Sequence, residues 1–130
     1  SYSEGKADLF AAFILRVASL GLDRALVGAV TMQSWMFIAS FEKLRSRILS
    51  RTQITSMAHL GTSGFDSIGG DVVATTAFVL SLSPANSVRG VFARLVSGSN
   101  EAQKSAALRA GSDRYFAAAR DFLALPGTPI

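Results

Sequence analysis

The chain has 130 residues, 49% of them hydrophobic, with a formal net charge of +4, one histidine and no cysteine. A length of this order suits one small domain that buries about two thirds of its unfolded surface, and the missing cysteines exclude a disulfide framework and a thiolate metal centre. No apolar run reaches the roughly 18 residues of a membrane-spanning helix, because Arg16, Asp23, Arg24, Glu42 and Lys43 interrupt the candidates.

The N-terminus lacks the basic, apolar, small-residue order of a signal peptide, so a cytoplasmic setting is expected. So high an apolar content in so short a chain points to a part of something larger, with an apolar interface when it stands alone. Ten arginines are spread from Arg16 to Arg120 rather than gathered in one run. That pattern reads as solvated surface more readily than as a nucleic-acid footprint.

From Asp8 to Leu20, the residues Leu9, Phe10, Phe13, Ile14, Val17 and Leu20 recur at helical spacing, with Asp8 placed to cap and Gly21 to stop. Ala25 to Met32 is apolar on both faces, the pattern of a strand covered on both sides in a mostly parallel sheet. After the polar turn Gln33-Ser34, a second helix presents Phe37, Phe41, Leu44 and Ile48 on one face. Glu42, Lys43, Arg45, Arg47 and Arg51 take the other, which should face solvent. Ile54 to Leu60 reads as a short strand leading into the glycine-rich segment 61–70. Val72 to Leu82 is the strongest strand in the chain. The loop between those two strands is too short to hold a crossover helix, which predicts antiparallel pairing. Ser83 to Ser87 is a turn, Val88 to Val96 one more strand or an extended arm, and 100–110 and 112–125 two short helices split at Gly111. The order helix, strand, helix, strand, strand is an α/β pattern with an antiparallel pair at its end. A doubly wound sheet normally opens with a strand and a ligand-binding turn. This one opens on a helix.

Active-site motifs are scarce. There is no phosphate-binding loop, and the glycines of 61–70 miss the dinucleotide spacing. Gly61-Thr-Ser-Gly64 is one residue short of a nucleophile elbow and does not lead into a helix. His59, between Ala58 and Leu60, reads as a structural hydrogen-bonder, and no metal site is expected. Two aromatic residues stand out. Trp35 lies where a strand hands over to a helix at the carboxyl edge of the sheet, as a packing ring or part of a ligand pocket. Phe65 is alone in a small, polar loop, where a ring either packs or stacks on a ligand or base. Asp66 and Asp71 beside it read as solvated turn formers.

Several blocks carry a resemblance. Gly28-Ala-Val-Thr-Met-Gln-Ser-Trp-Met-Phe37, Phe41-Glu-Lys-Leu-Arg45, Met57-Ala-His-Leu-Gly61, Phe65-Asp-Ser-Ile-Gly-Gly70 and Thr75-Thr-Ala-Phe-Val79 resemble the later half of the catalytic domain of adenine-specific (N6) DNA methyltransferases. The resemblance is nearest to the enzymes of bacterial phage-exclusion and phage-growth-limitation systems, and looser to gamma-class enzymes of restriction systems. It runs on through Arg94-Leu-Val-Ser-Gly98, Asn100-Glu-Ala-Gln-Lys104 and Leu125-Pro-Gly-Thr-Pro-Ile130, nearly the whole chain.

The resemblance implies a partial Rossmann-like methyltransferase fold, the later half of a doubly wound sheet ending in an antiparallel hairpin, over residues 1–83, with an extra strand and C-terminal helices over 84–130. It also implies what this chain lacks. In such enzymes S-adenosylmethionine is held by a glycine-rich loop, and the target adenine by an Asn-Pro-Pro-Tyr motif. Both lie upstream of the matching region, and no proline here follows an asparagine or a proline. The chain alone is therefore expected to be inactive and to bind no cofactor or metal. Its implied partners are DNA, through the intact enzyme, and the missing N-terminal half of the domain. Self-association through an exposed sheet edge is also expected. By the same resemblance Phe65 stacks on a flipped-out adenine, while Gln33, Ser34 and Trp35 form the edge of the pocket. Two other readings stay open: a non-catalytic methyltransferase-like interaction module, and an independent basic nucleic-acid binder.

Overall fold

A computed structural model describes residues 9–67, 73–85 and 87–130. The predicted cap at Asp8, the loop residues 68–70, Asp71, the strand start at Val72 and the turn residue Asn86 lie outside the described residues. Helix α1 (Leu9–Leu20) leads to strand β1 (Leu26–Met32), and two short 3-10 turns (Gln33–Met36 and Ala39–Phe41) run into helix α2 (Glu42–Arg51). Strands β2 (Gln53–Gly61), β3 (Thr75–Ser81) and β4 (Arg89–Arg94) follow. Helix α3 (Glu101–Ala110), strand β5 (Arg114–Ala118) and helix α4 (Ala119–Leu123) complete the chain.

The strands form one sheet in the order β1-β3-β2-β4-β5. Strand β3 runs antiparallel to both β1 and β2, β4 is parallel to β2, and β5 is antiparallel to β4. Thus the predicted antiparallel pairing of the second and third strands holds, and β4 is a full sheet member rather than an arm. Alternation sorts the side chains onto two unlike faces. One carries Val27 and Ala29, Phe78 and Leu80, Ile54 and Met57, and Phe92, which join α1, α2 and α4 in a single core with Trp35, Phe41, Leu44 and Ile48. The other is floored by Gly28, Val30, Ala58, Ala77, Val79 and Ala93, a shallow apolar depression of about 570 Å³.

Several sequence expectations change. Strand β1 is not covered on both faces: its residues alternate between exposed and half-buried, because Val27 and Ala29 pack on the core while Gly28 and Val30 face the open depression. Leu26 is 68% and Val30 56% exposed. On α1 the buried residues are Ala11, Ile14 and Leu15, and Phe13 and Val17 of the predicted apolar face are exposed. Helix α2 starts at Glu42, not near Phe37, whose ring is exposed.

Arg45 is the largest departure. It is 1% exposed rather than solvated. Its guanidinium donates from Nη1 to the carbonyls of Trp35 at 2.9 Å and Ile38 at 2.6 Å, from Nη2 to Gly127 at 2.6 Å, and from Nε to Thr128 at 3.0 Å. A guanidinium presents donors in a planar fork and has no acceptor, so a cluster of carbonyls can satisfy it without a carboxylate. It ties the end of the chain to the β1–α2 junction, where Ile130 N–H also bonds the Met36 carbonyl.

The segment 112–125 is a strand and a short helix rather than one helix. Asp113 takes a left-handed turn (φ 48°) after Gly111 (φ 71°), and Arg114 to Ala118 then pair with β4. Tyr115 stacks on Phe92 at 5.2 Å, a cross-strand aromatic contact that overrides the alanine-rich helical pattern.

Candidate functional site

Strands β1 and β2 are parallel to each other, with β3 running back between them, so their carboxyl ends reach the same edge of the sheet. At that edge four side chains form a row on one face through direct register: Thr31 opposite Thr76, Thr76 opposite His59, and His59 opposite Arg94. The loop after β1 begins at Gln33, and the loop after β2 carries Phe65. The two are joined at the base, since Gln33 N–H bonds the Ala74 carbonyl at 2.9 Å. A second link crosses β3, with His59 Nε2 lying 2.6 Å from Gln33 Oε1.

Gln33 is therefore a fixed, half-buried edge group. Ser34 contributes its backbone, whose carbonyl receives the N–H of Ile38 at 3.0 Å and closes the turn. Trp35 does not line an open pocket. Its ring is fully buried, meets Phe78 edge-on at 5.2 Å, and donates Nε1–H to Thr31 Oγ1 at 2.9 Å. The indole supports the edge from inside the core, where its apolar area is buried and its one donor is satisfied.

Phe65 is half-buried in the loop that leaves β2. Gly61 turns the chain with φ 68° while packed against Val96, and Ser63 follows at φ 55°. Asp66 is exposed and lies in a turn, as read from the sequence, and it also bonds the start of α3. Its N–H donates to Glu101 Oε1 at 2.8 Å, and Glu101 N–H donates to Asp66 Oδ1 at 3.0 Å.

Lys104, on the same helix, is 3% exposed, and its Nζ donates to the carbonyls of Leu60 at 2.6 Å and Leu95 at 2.9 Å. Burial lowers its pKa. The sequence offered no sign of this, because a lysine at helical spacing among polar residues looks like any solvated one. His59 is held below its ordinary pKa by burial first, then by the positive charges of Arg94 and Lys104. Among the described residues no group of three His, Asp or Glu side chains could hold a metal ion, and no helix is long and apolar enough to cross a membrane.

The edge combines an antiparallel strand inserted between two parallel ones with loops gathered at the strands' carboxyl ends. That fold is shared with solved modification subunits of type I restriction enzymes. The modification subunit of a type I restriction enzyme from Vibrio vulnificus YJ016 superposes with a TM-score of 0.62 at 11% identity, covering 86% of this chain and 28% of that one. The type I restriction enzyme EcoKI M protein superposes at 0.56 and 11%, covering 74% and 23%. Residues 1–65, half of the chain, match the Eco57I restriction-modification methylase family, and the chain belongs to that family. It is 37% identical over 129 residues to the adenine-specific methyltransferase BrxX of Escherichia coli O9:H4 (strain HS). It is 36% identical over 135 residues to the adenine-specific methyltransferase PglX of Lacticaseibacillus casei (strain Zhang). Each alignment covers 99% of this chain, which spans 11% of the length of either relative.

Proposed function

We propose that this chain is the later half of the catalytic domain of a bacterial, cytoplasmic adenine-specific DNA methyltransferase acting in restriction-modification or phage defence. In this reading residues 1–83 belong to the methyltransferase half-domain and 84–130 extend its sheet. The observation that carries it is the common edge at which the Gln33–Trp35 junction and the Phe65 loop meet, in a chain of this family.

The methyl donor would be S-adenosylmethionine, which supplies the transferable methyl group when bound. Among the described residues none fits a holder for it, since Gly64 lies in the loop between β2 and β3 and not before a helix that could cradle a ligand. No step of the transfer is assigned to this chain. Its own part is to offer Phe65 to an adenine taken out of the duplex. A ring face offsets about 1–3 kcal/mol of lost stacking per base.

In the intact enzyme, Phe65→Ala should lower the methylation rate on duplex DNA by roughly tenfold or more, the rate equivalent of that stacking energy. The thermal midpoint should barely move, because the ring is only half-buried. Undiminished methylation would remove Phe65 from the site. The bare sheet face also suits a non-catalytic docking module. An Asn-Pro-Pro-Tyr motif encoded upstream of Ser1 in the same reading frame favours the enzyme, and its absence favours the module.

A further inference from the structure

We propose that Asp66 and Glu101 are positioning residues that hold the Phe65 loop against helix α3, an inference that rests on the stacking role proposed for Phe65. The loop from Gly61 to Ser67 is made of glycine, serine, threonine and aspartate around one ring. Small residues of this kind place little restraint on the backbone, so an aromatic among them needs an outside brace to present one face.

The structure supplies the brace at two points. The N–H of Asp66 belongs to the peptide unit that joins Phe65 to Asp66. Its bond to Glu101 Oε1 therefore fixes the backbone on the carboxyl side of the ring. The return bond, from Glu101 N–H to Asp66 Oδ1, uses an N–H that the first turn of a helix leaves without an intrahelical partner. Both bonds have an ionised acceptor, which makes them stronger than neutral pairs.

The second point lies where the loop begins. Lys104 Nζ holds the Leu60 carbonyl, in the peptide unit just before Gly61. Glu101 and Lys104 lie one turn apart on α3, whose own start is fixed by Asn100 Oδ1 accepting from Gln103 N–H at 2.9 Å and by Gln103 Oε1 accepting from Ser99 N–H at 2.9 Å. One helix end thus grips both sides of Phe65, across 35 residues of sequence on one side and 44 on the other. Asp66 and Glu101 are exposed at the surface and contribute little to the core, so their geometry is better explained by the loop they restrain.

The test uses the intact enzyme with Asp66→Ala, Glu101→Ala, Asp66→Asn, Glu101→Gln and Phe65→Ala in parallel. It reads kcat and KM on duplex DNA, the thermal midpoint, and the fluorescence of 2-aminopurine placed at the target base. The two alanine variants should lose about tenfold in kcat, the rate equivalent of one charge-assisted hydrogen bond, with KM and midpoint little changed. The flipped 2-aminopurine should be brighter in these variants than in the parent, because the ring no longer stacks on it. Asn and Gln keep the acceptor oxygen and should restore the rate to within about twofold. Full activity of both alanine variants beside an impaired Phe65→Ala overturns the positioning role and leaves the stacking role standing. A deficit that Asn and Gln share with Ala also overturns it. Full activity of Phe65→Ala overturns the stacking role itself, and the positioning role with it.

Discussion

His59 has three neighbours that set its charge. Its Nε2 bonds Gln33 Oε1, which as an acceptor requires the proton on that nitrogen, and Arg94 and Lys104 oppose a second proton on the ring. Burial acts in the same direction and is the larger cause. The folded protein therefore keeps His59 neutral to lower pH than the unfolded chain does. As pH falls through the ordinary histidine range the unfolded state takes up the proton first, and stability is lost until the pH has passed the folded value; above that range the group contributes no slope. Denaturation of the chain at pH 7 and pH 5 should show this loss. His59→Gln, which still offers an N–H to Gln33 but cannot titrate, should flatten the slope. An identical slope in the variant would place the acid sensitivity on carboxylates instead. The role read from the sequence, a structural hydrogen-bonder, agrees with this geometry. For Arg45 and Lys104 it was illegible, because both carry their charge into the interior to meet carbonyls far along the chain, Gly127 for Arg45 and Leu60 for Lys104. Local polarity pattern reports which face of a helix is charged, and says nothing of a distant carbonyl that can satisfy a buried cation.

Elements were legible wherever local pattern and tertiary pairing agreed. Strands β2 and β3 and helix α3, with its break at Gly111, lie close to where the residues place them. Strand β5 was missed because an alanine-rich stretch satisfies a helical period, and only the antiparallel partner β4 decides otherwise. The β2–β4 contact illustrates how such pairing restricts sequence. The two strands are parallel, and Gly90 lies directly under the backbone of β2, where a Cβ would overlap the Ile54 carbonyl. Backbone carbonyls in a ladder cannot step aside as a flexible side chain can. Gly90→Ala should therefore separate β4 from β2 and cost about 3 kcal/mol, at the upper end of overpacking penalties. Gly28→Ala, whose Cβ would meet open space, should cost well under 1 kcal/mol by the same reasoning. Equal midpoints for the two variants in thermal melts would show that the parallel pair is looser than the structure describes.

At the scale of the whole molecule, the apolar richness of the composition and the bare sheet face are one fact. The side chains that a helical pattern or a strand pattern would bury are in part exposed: Phe13 and Val17 on α1, Leu26, Val30 and Met32 on β1. They flank an edge strand with one neighbour among the described residues, beside a depression floored by small apolar residues. Exposed edges and faces of this sort pair with other chains unless they are covered. If the missing half of the domain covers them, a charge placed there must have opposite effects in two settings. In the isolated chain, Val30→Lys should reduce self-association, seen in sedimentation velocity as a return toward the 13.7 kDa monomer, with little change in folding stability. In the intact enzyme the same lysine would be buried without a partner and should destabilise the domain by several kcal/mol. A Val30→Lys enzyme that melts with the parent would mean that the face is open in the whole protein, and the docking-module reading would then gain what the half-domain reading loses.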